Sequence, residues 1–196
     1  MKTQESIGIC VFAASSQQVP AAYIAAAQEF GRLLAVRGWR CVNGAGSQGL
    51  MRAVSDGALD HGGHVTGVIP RFMVDHGWCY DRLTDVVVTD TMHSRKHHMH
   101  SITQAVAALP GGCGTLEELM EALTWRQLGV IDKPIVLLNT GGFFAPLVAM
   151  LTRCLEQGFM KPTHAALWTL AGTPAEAVQA IARELQAEQP MIESKY

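Results

Sequence analysis

A short apolar run at residues 105–109 ends at Pro110, and three glycines follow at Gly111, Gly112 and Gly114. Leu116, Leu119, Met120 and Leu123 then recur at i, i+3, i+4 and i+7. The run has the length and character of a buried strand, and the repeat is one face of an amphipathic helix. The chain must therefore pass from a strand, through a glycine loop, into a helix. Glycines let backbone approach a ligand closely. The free amides and positive dipole end of the helix favour an anion, typically phosphate. Glu117 and Glu118 follow in what reads as the first helical turn. A phosphate cradle beside a carboxylate suits chemistry on a nucleotide's sugar. The same residues also admit a purely local reading. Thr115 with Glu118 spells a capping box, and glycine between strand and helix can be turn chemistry alone.

The rest of the chain repeats this alternation. Strands are expected at residues 7–12, 40–43, 65–69, 83–89, 134–139 and 166–170. Pro20 opens a helix to about Arg37, closed by Gly38. Gly44-Ala45-Gly46-Ser47-Gln48-Gly49 leads into a second helix, which Gly62-Gly63 ends. Its G-x-G-x-x-G spacing lacks the acidic residue a dinucleotide fingerprint wants downstream, so it is not read as an NAD site. Residues 70–82 read as a long loop with Arg71, His76, Trp78 and Tyr80, where Trp78 or Tyr80 could stack on a base. Helices follow at 92–103, capped by Asp90 or Thr91, from Gly141-Gly142 to about Gln157, and from Thr173-Pro174 to about Glu188. The fold class is α/β: a Rossmann-like, doubly wound, mostly parallel sheet with helices on both faces. A single nucleotide-binding domain over residues 1–196 is expected, with a loose tail from about 189.

Composition narrows the function classes. At 48% hydrophobic and 16% charged, the 196-residue chain is globular rather than disordered. Its net charge of −2 and lack of a long basic run disfavour nucleic acid. Five irregularly spaced cysteines fit neither a disulfide framework nor a zinc site and suggest a reducing, cytoplasmic setting. Neither a signal peptide nor a membrane span is expected. Cys113, inside the glycine loop, is a candidate for redox sensitivity, although no role is required of it.

The helix at 92–103 carries His93, His97, His98 and His100 around Arg95 and Lys96. His93 and His97 share a face, but two adjacent cations would repel a divalent metal, so no metal site is expected. Arg95 and Lys96 suit an anion or an orienting contact with a carboxylate. The alternative is a solvated basic face.

Met92-His93-Ser94-Arg95-Lys96, followed by Pro110-Gly111-Gly112-Cys113-Gly114-Thr115-Leu116-Glu117-Glu118, resembles the paired signature of the Lonely Guy (LOG) family. These are cytokinin riboside 5'-monophosphate phosphoribohydrolases, long mislabelled lysine decarboxylases. Val68-Ile69-Pro70, Gly49-Leu50-Met51, Thr124-Trp125-Arg126-Gln127-Leu128-Gly129 and Lys133-Pro134 extend the similarity from residue 9 to about 144. The resemblance implies a Rossmann-like fold, a homodimer, and hydrolysis of a nucleoside monophosphate to free base and ribose 5-phosphate. The family's catalytic arginine falls on Arg95 and its glutamate on Glu118. Phosphate binding falls on Gly111, Gly112, Gly114 and Thr115, and base and ribose contacts on Ser15, Met92, Lys96 and Glu117. The helix N-terminus and Arg95 are expected to keep Glu118 ionised.

Three departures sit where the resemblance places the ligand cleft. Ala13-Ala14-Ser15-Ser16 stands for Cys-Gly-Ser-Ser, Asn43-Gly44-Ala45-Gly46 for Tyr-Gly-Gly-Gly, and Gln104 for an aspartate. They leave the base open, so a general AMP nucleosidase remains an alternative. So does a non-catalytic nucleotide or cofactor carrier of the same fold. Pyridoxal phosphate chemistry needs a Schiff-base lysine. Lys96, Lys133 and Lys161 are the only internal lysines, and Lys96 belongs to the anion motif. No cofactor is expected.

Overall fold

The computed structural model describes residues 6–187, so the expected loose tail lies outside the described residues. Within these residues seven strands form one parallel sheet: β1 (Gly8–Phe12), β2 (Arg40–Asn43), β3 (Val65–Pro70), β4 (Asp85–Thr89), β5 (Ala105–Ala108), β6 (Ile135–Leu138) and β7 (Thr169–Ala171). Their order is β4-β3-β2-β1-β5-β6-β7. The chain runs outward from β1 to β4, then crosses back to β5 on the other side of β1. Ligand crevices of open α/β sheets form at such a reversal, outside the carboxyl ends of the strands. Phe12 pairs with Ala108, so β1 and β5 end level with one another.

Among the described residues, seven α-helices cover the sheet: α1 (Ala21–Val36), α2 (Gly49–Leu59), α3 (Arg71–Asp75), α4 (Met92–Ser101), α5 (Cys113–Gln127), α6 (Ala145–Glu156) and α7 (Pro174–Gln186). Alternating residues of β1 feed two cores. Ile9 and Val11 join α1, α2 and α7 on one face, while Cys10 and Phe12 join α4, α5 and α6 on the other. Both faces of each central strand are dry, which is why these strands read as unbroken apolar runs. α1 and α2 cross closely: a Cβ at Gly31 would lie 2.0 Å from the Val54 carbonyl, and one at Gly57 2.0 Å from that of Gln28.

Local chemistry sets the element ends. Pro20 precedes α1, and Gly38 leaves it in the left-handed region at φ 68°. Thr91 caps α4 in a reciprocal box with Ser94, each amide 3.0 Å from the other's hydroxyl. The structure corrects two expectations. Residues 70–82 are not all loop, because α3 occupies their start. The last strand begins at Thr169, since residues 162–167 form a 3₁₀ turn.

His100 is buried between Phe12 and Trp125, with ring centroids 6.0 and 5.0 Å away. Burial, helped by Lys133, lowers its pKa to about 4. The unfolded chain therefore takes up this proton near pH 6.5 and the folded chain only near 4. The stability that neutral His100 confers is present above 6.5 and is lost as pH falls through 4. His100→Leu should gain up to about 3 kcal/mol on the wild type between about pH 7 and 4.5, read from urea midpoints. An unchanged difference across that range would rule this out.

Candidate active site

A cavity of about 600 Å³ lies over the carboxyl ends of β1 and β5. Ala13 to Ser16 line it after β1, and Gly44, Gly46, Ser47 and Gln48 line it between β2 and α2. The start of α5 forms the facing wall, with Gly112, Cys113, Gly114, Thr115, Glu117 and Glu118. Met51, Met73, Trp78 and Met92 add an apolar side, beside Arg95.

The glycine loop is hung from β1. Leu109 N donates to Phe12 O at 2.8 Å, and Ala14 N to Pro110 O at 3.2 Å. Gly112 is the N-cap of α5, and no side chain caps that end. The first amides of a helix have no intrahelical acceptor, so here they are left for a ligand in the cavity. The capping-box reading is thereby overturned. Thr115 is the third helical residue, not the cap, and it is buried. Glu117 and Glu118 lie in the second turn rather than the first. Gly111 does not line the cavity. A Cβ there would lie 2.1 Å from Thr115 Oγ1, so its bareness makes room for that side chain.

Arg95 and Glu118 meet at the bottom of the site, Nη1 to Oε1 3.5 Å apart, with both side chains buried. Arg95 Nε donates to Val68 O at 3.0 Å, and Nη1 lies 3.8 Å from Met92 Sδ. Its guanidinium fills the space above Gly44, where a Cβ would stand 1.6 Å from Nη2. Glu118 departs from the sequence expectation. Burial pushes its pKa up to about 7, against the pull of Arg95, with Glu117 adding to the rise. Helix-dipole help fades beyond the first turn, and the guanidinium stands outside hydrogen-bond range, so desolvation wins. Near neutrality this carboxyl exists in both protonation states, the condition that suits a group handling a proton.

The structure brings Ser15, Met92, Arg95, Gly112, Gly114, Thr115, Glu117 and Glu118 together around one cavity, and leaves Lys96 and Gly111 behind its wall. Lys96 is buried on α4 and faces α5. It donates to Glu117 Oε1 and lies 3.1 Å from Glu121 Oε2, so it reaches the site through Glu117. Arg95 and Lys96 are the buried side of α4, while His93 and His97 face solvent, so the solvated basic face is not observed. No cluster of potential metal ligands occurs among the described residues.

Further corrections concern the flanks. Trp78 is 48% exposed and lines the cavity, whereas Tyr80 is buried with its hydroxyl on Asp56, and so cannot stack on a base. Asn43 is buried beneath the turn. It donates to Ser55 Oγ and accepts from Ala45 N, both at 2.9 Å. Gln104 is not at the cleft: its side chain accepts from Gly8 N at 2.7 Å, at the opposite end of β1. Met51 and Met73 were not among the expected site residues, and Gly44 was expected at the cleft only as part of a departure from the family pattern. The G-x-G-x-x-G spacing did signal Gly44, but its use here is to admit a guanidinium. No sequence signal separates a cavity methionine from a core one.

The family model described as Possible lysine decarboxylase matches residues 51–181. Cytokinin riboside 5'-monophosphate phosphoribohydrolase LOG3 of Arabidopsis thaliana is 41% identical over 171 residues, which is 87% of this chain and 80% of that protein. The chain belongs to the LOG family. The probable LOG enzyme LOGL2 of Oryza sativa subsp. japonica is 40% identical over 171 residues, covering 87% of this chain and 70% of its own. Among solved structures, the molybdenum cofactor carrier protein of Chlamydomonas reinhardtii superposes with a TM-score of 0.73. It is 25% identical, covering 93% of this chain and 99% of the carrier. In this LOG-family chain no lysine among the described residues lines the cavity. Lys133, which is half-buried, donates to the carbonyls of His100 and Thr103.

Proposed function

We propose that the chain hydrolyses the N-glycosidic bond of a cytokinin-type nucleoside 5'-monophosphate, releasing free base and ribose 5-phosphate. The observation that carries this is the buried Arg95–Glu118 pair set beside the uncapped amides of α5, the helix that carries Glu118. Phosphate binds at Gly112, Gly114 and Thr115. Glu118 lies five residues past the helix start, about 7.5 Å along the axis, and its side chain leans back toward that start. That offset matches the reach from a 5'-phosphate to the anomeric carbon. Breaking the bond leaves positive charge on the ribosyl carbon, which ionised Glu118 stabilises or attacks. Arg95 holds the carboxylate in place, and Lys96 holds Glu117 at the rim. Ser15 and Met92 contact ribose and base. Phosphate held at the loop converts remote binding energy into positioning of that carbon.

The relatives at about 40% identity favour turnover over the carrier reading, which rests on likeness of fold. The apolar side at Met51, Met73, Met92 and Trp78 favours a base with an apolar substituent over plain adenine. A homodimer and a cytoplasmic location belong to the same proposal. Val86 and Val88 on the edge strand β4 offer exposed apolar surface to a second copy, and five free cysteines suit a reducing compartment. No helix among the described residues is long and apolar enough to cross a membrane.

Product analysis in phosphate-free buffer tests the reaction class. Equimolar free base and ribose 5-phosphate are expected. A requirement for inorganic phosphate, with a bisphosphorylated sugar as product, would replace hydrolysis by phosphorolysis.

A further inference from the structure

The cavity's apolar side is mounted on a segment that has little core of its own. α3 has no buried residue, and Phe72, Trp78 and Met73 are exposed or half-buried. What fixes the segment is its far end. Cys79 bridges antiparallel to Gly46. Tyr80 N donates to Ala45 O at 2.8 Å, and Ser47 N to Trp78 O at 3.2 Å. Residues 78–80 thus zip onto the turn that lines the cavity opposite α5. One side chain locks that zip. Tyr80 is 4% exposed, and its hydroxyl donates to Asp56 Oδ1 on α2.

Asp56 is a hub. It also accepts from Arg82 Nη1 at 2.9 Å and from Arg52 Nε at 3.2 Å. Arg82 reaches on to Asp60 at 2.7 Å, and the Arg52 guanidinium lies 5.4 Å from the centre of the Tyr80 ring. Three side chains of α2 and the loop, Asp56, Arg52 and Arg82, therefore gather around one tyrosine, none of them lining the cavity. Such a network fixes geometry better than it adds stability, because its outer members are exposed.

We propose that Tyr80, held by Asp56, is a positioning residue that sets the distance of Trp78 and Met73 from the bound base, and so sets selectivity for an apolar base substituent. This rests on the hydrolase reading for the identity of the ligand, but not for its own test. The phosphate loop, Arg95 and Glu118 stand on other elements, so releasing the latch loosens one wall and leaves the anchor. Partial loss of fit around a few methylenes is worth about tenfold in discrimination.

The test is equilibrium binding in a background that does not turn over. Glu118→Gln and Glu118→Gln/Tyr80→Phe are titrated calorimetrically with isopentenyladenosine monophosphate, AMP and ribose 5-phosphate. The phenyl ring keeps the buried packing and removes only the hydroxyl. The expected result is a fall of about tenfold in the affinity ratio of the isopentenyl nucleotide over AMP, with ribose 5-phosphate affinity unchanged within about twofold. Glu118→Gln/Asp56→Asn, which keeps Tyr80 and an acceptor for its hydroxyl, should retain most of the ratio. A ratio unchanged in Tyr80→Phe, or equal weakening of all three ligands, overturns the proposal. Binding reads it whether or not the wild type hydrolyses either nucleotide, so failure of the hydrolase reading is recognised separately.

Discussion

Glu118→Gln is expected to lower kcat by about 10³-fold or more while leaving nucleotide affinity within a few-fold. The substitution preserves shape at a buried position whose charged form is needed only as the ribosyl carbon becomes cationic. With phosphate held at Gly112, Gly114 and Thr115, as proposed, the ground-state complex loses little. Stability should move the other way. Glu118 binds its proton near pH 7 when folded and near 4.5 when unfolded. The stability tied to that proton is complete below 4.5 and is lost as pH rises through 7. Glutamine cannot ionise, so the variant should gain on the wild type across this window by on the order of 3 kcal/mol. His100 has the opposite slope over nearly the same range, its stability being lost as pH falls from 6.5 to 4. The two contributions oppose each other in the wild type, and each variant exposes the other's slope. A site that is less stable with its catalytic charge than without it fits the usual trade between activity and stability.

Gly44→Ala should reduce kcat/KM by about 10²-fold, the scale of an ångström-level misplacement. The added Cβ would fall 1.6 Å from Arg95 Nη2 and 2.8 Å from Cζ. Arg95 cannot yield cheaply, because it is buried and its Nε is held by Val68 O. Moving it also leaves Glu118 buried without its partner, which costs folding energy as well as rate. Gly46→Ala is the control from the same turn. Its Cβ meets the Met51 sulfur at 2.8 Å, the far part of a flexible side chain. The control should keep most of the activity. Equal losses in both variants would mean that the turn itself, rather than the guanidinium, is what the glycines protect.

Most of the scaffold was legible because glycine and proline punctuate it. Gly38, Gly62 and Gly63 mark ends that the structure keeps, and the apolar runs between them are the central strands. β7 was less legible, since Leu167 is buried by a 3₁₀ turn and looks the same as a buried strand residue. Helix α5 shows the deeper limit. Its apolar repeat placed Met120 inside and left Glu118 to the polar side. In the folded chain Met120 is 39% exposed and Glu118 is 7% exposed. A local pattern cannot register that a carboxylate will be buried against an arginine on another helix. For the same reason the charge of Glu118 was misjudged: the helix start and Arg95 were visible in the sequence, but the desolvation that outweighs them was not. Tyr80 was legible as an aromatic near the site. Its partner Asp56, on the helix before, was not.

The most direct measurement is release of ribose 5-phosphate from AMP and from isopentenyladenosine monophosphate, side by side, by the wild type and by Glu118→Gln. The account predicts release by the wild type, faster from the isopentenyl nucleotide, and none by a variant that still binds both. Near-normal release by Glu118→Gln, or none by a wild type that binds the nucleotide, would contradict it, the second outcome pointing to a carrier.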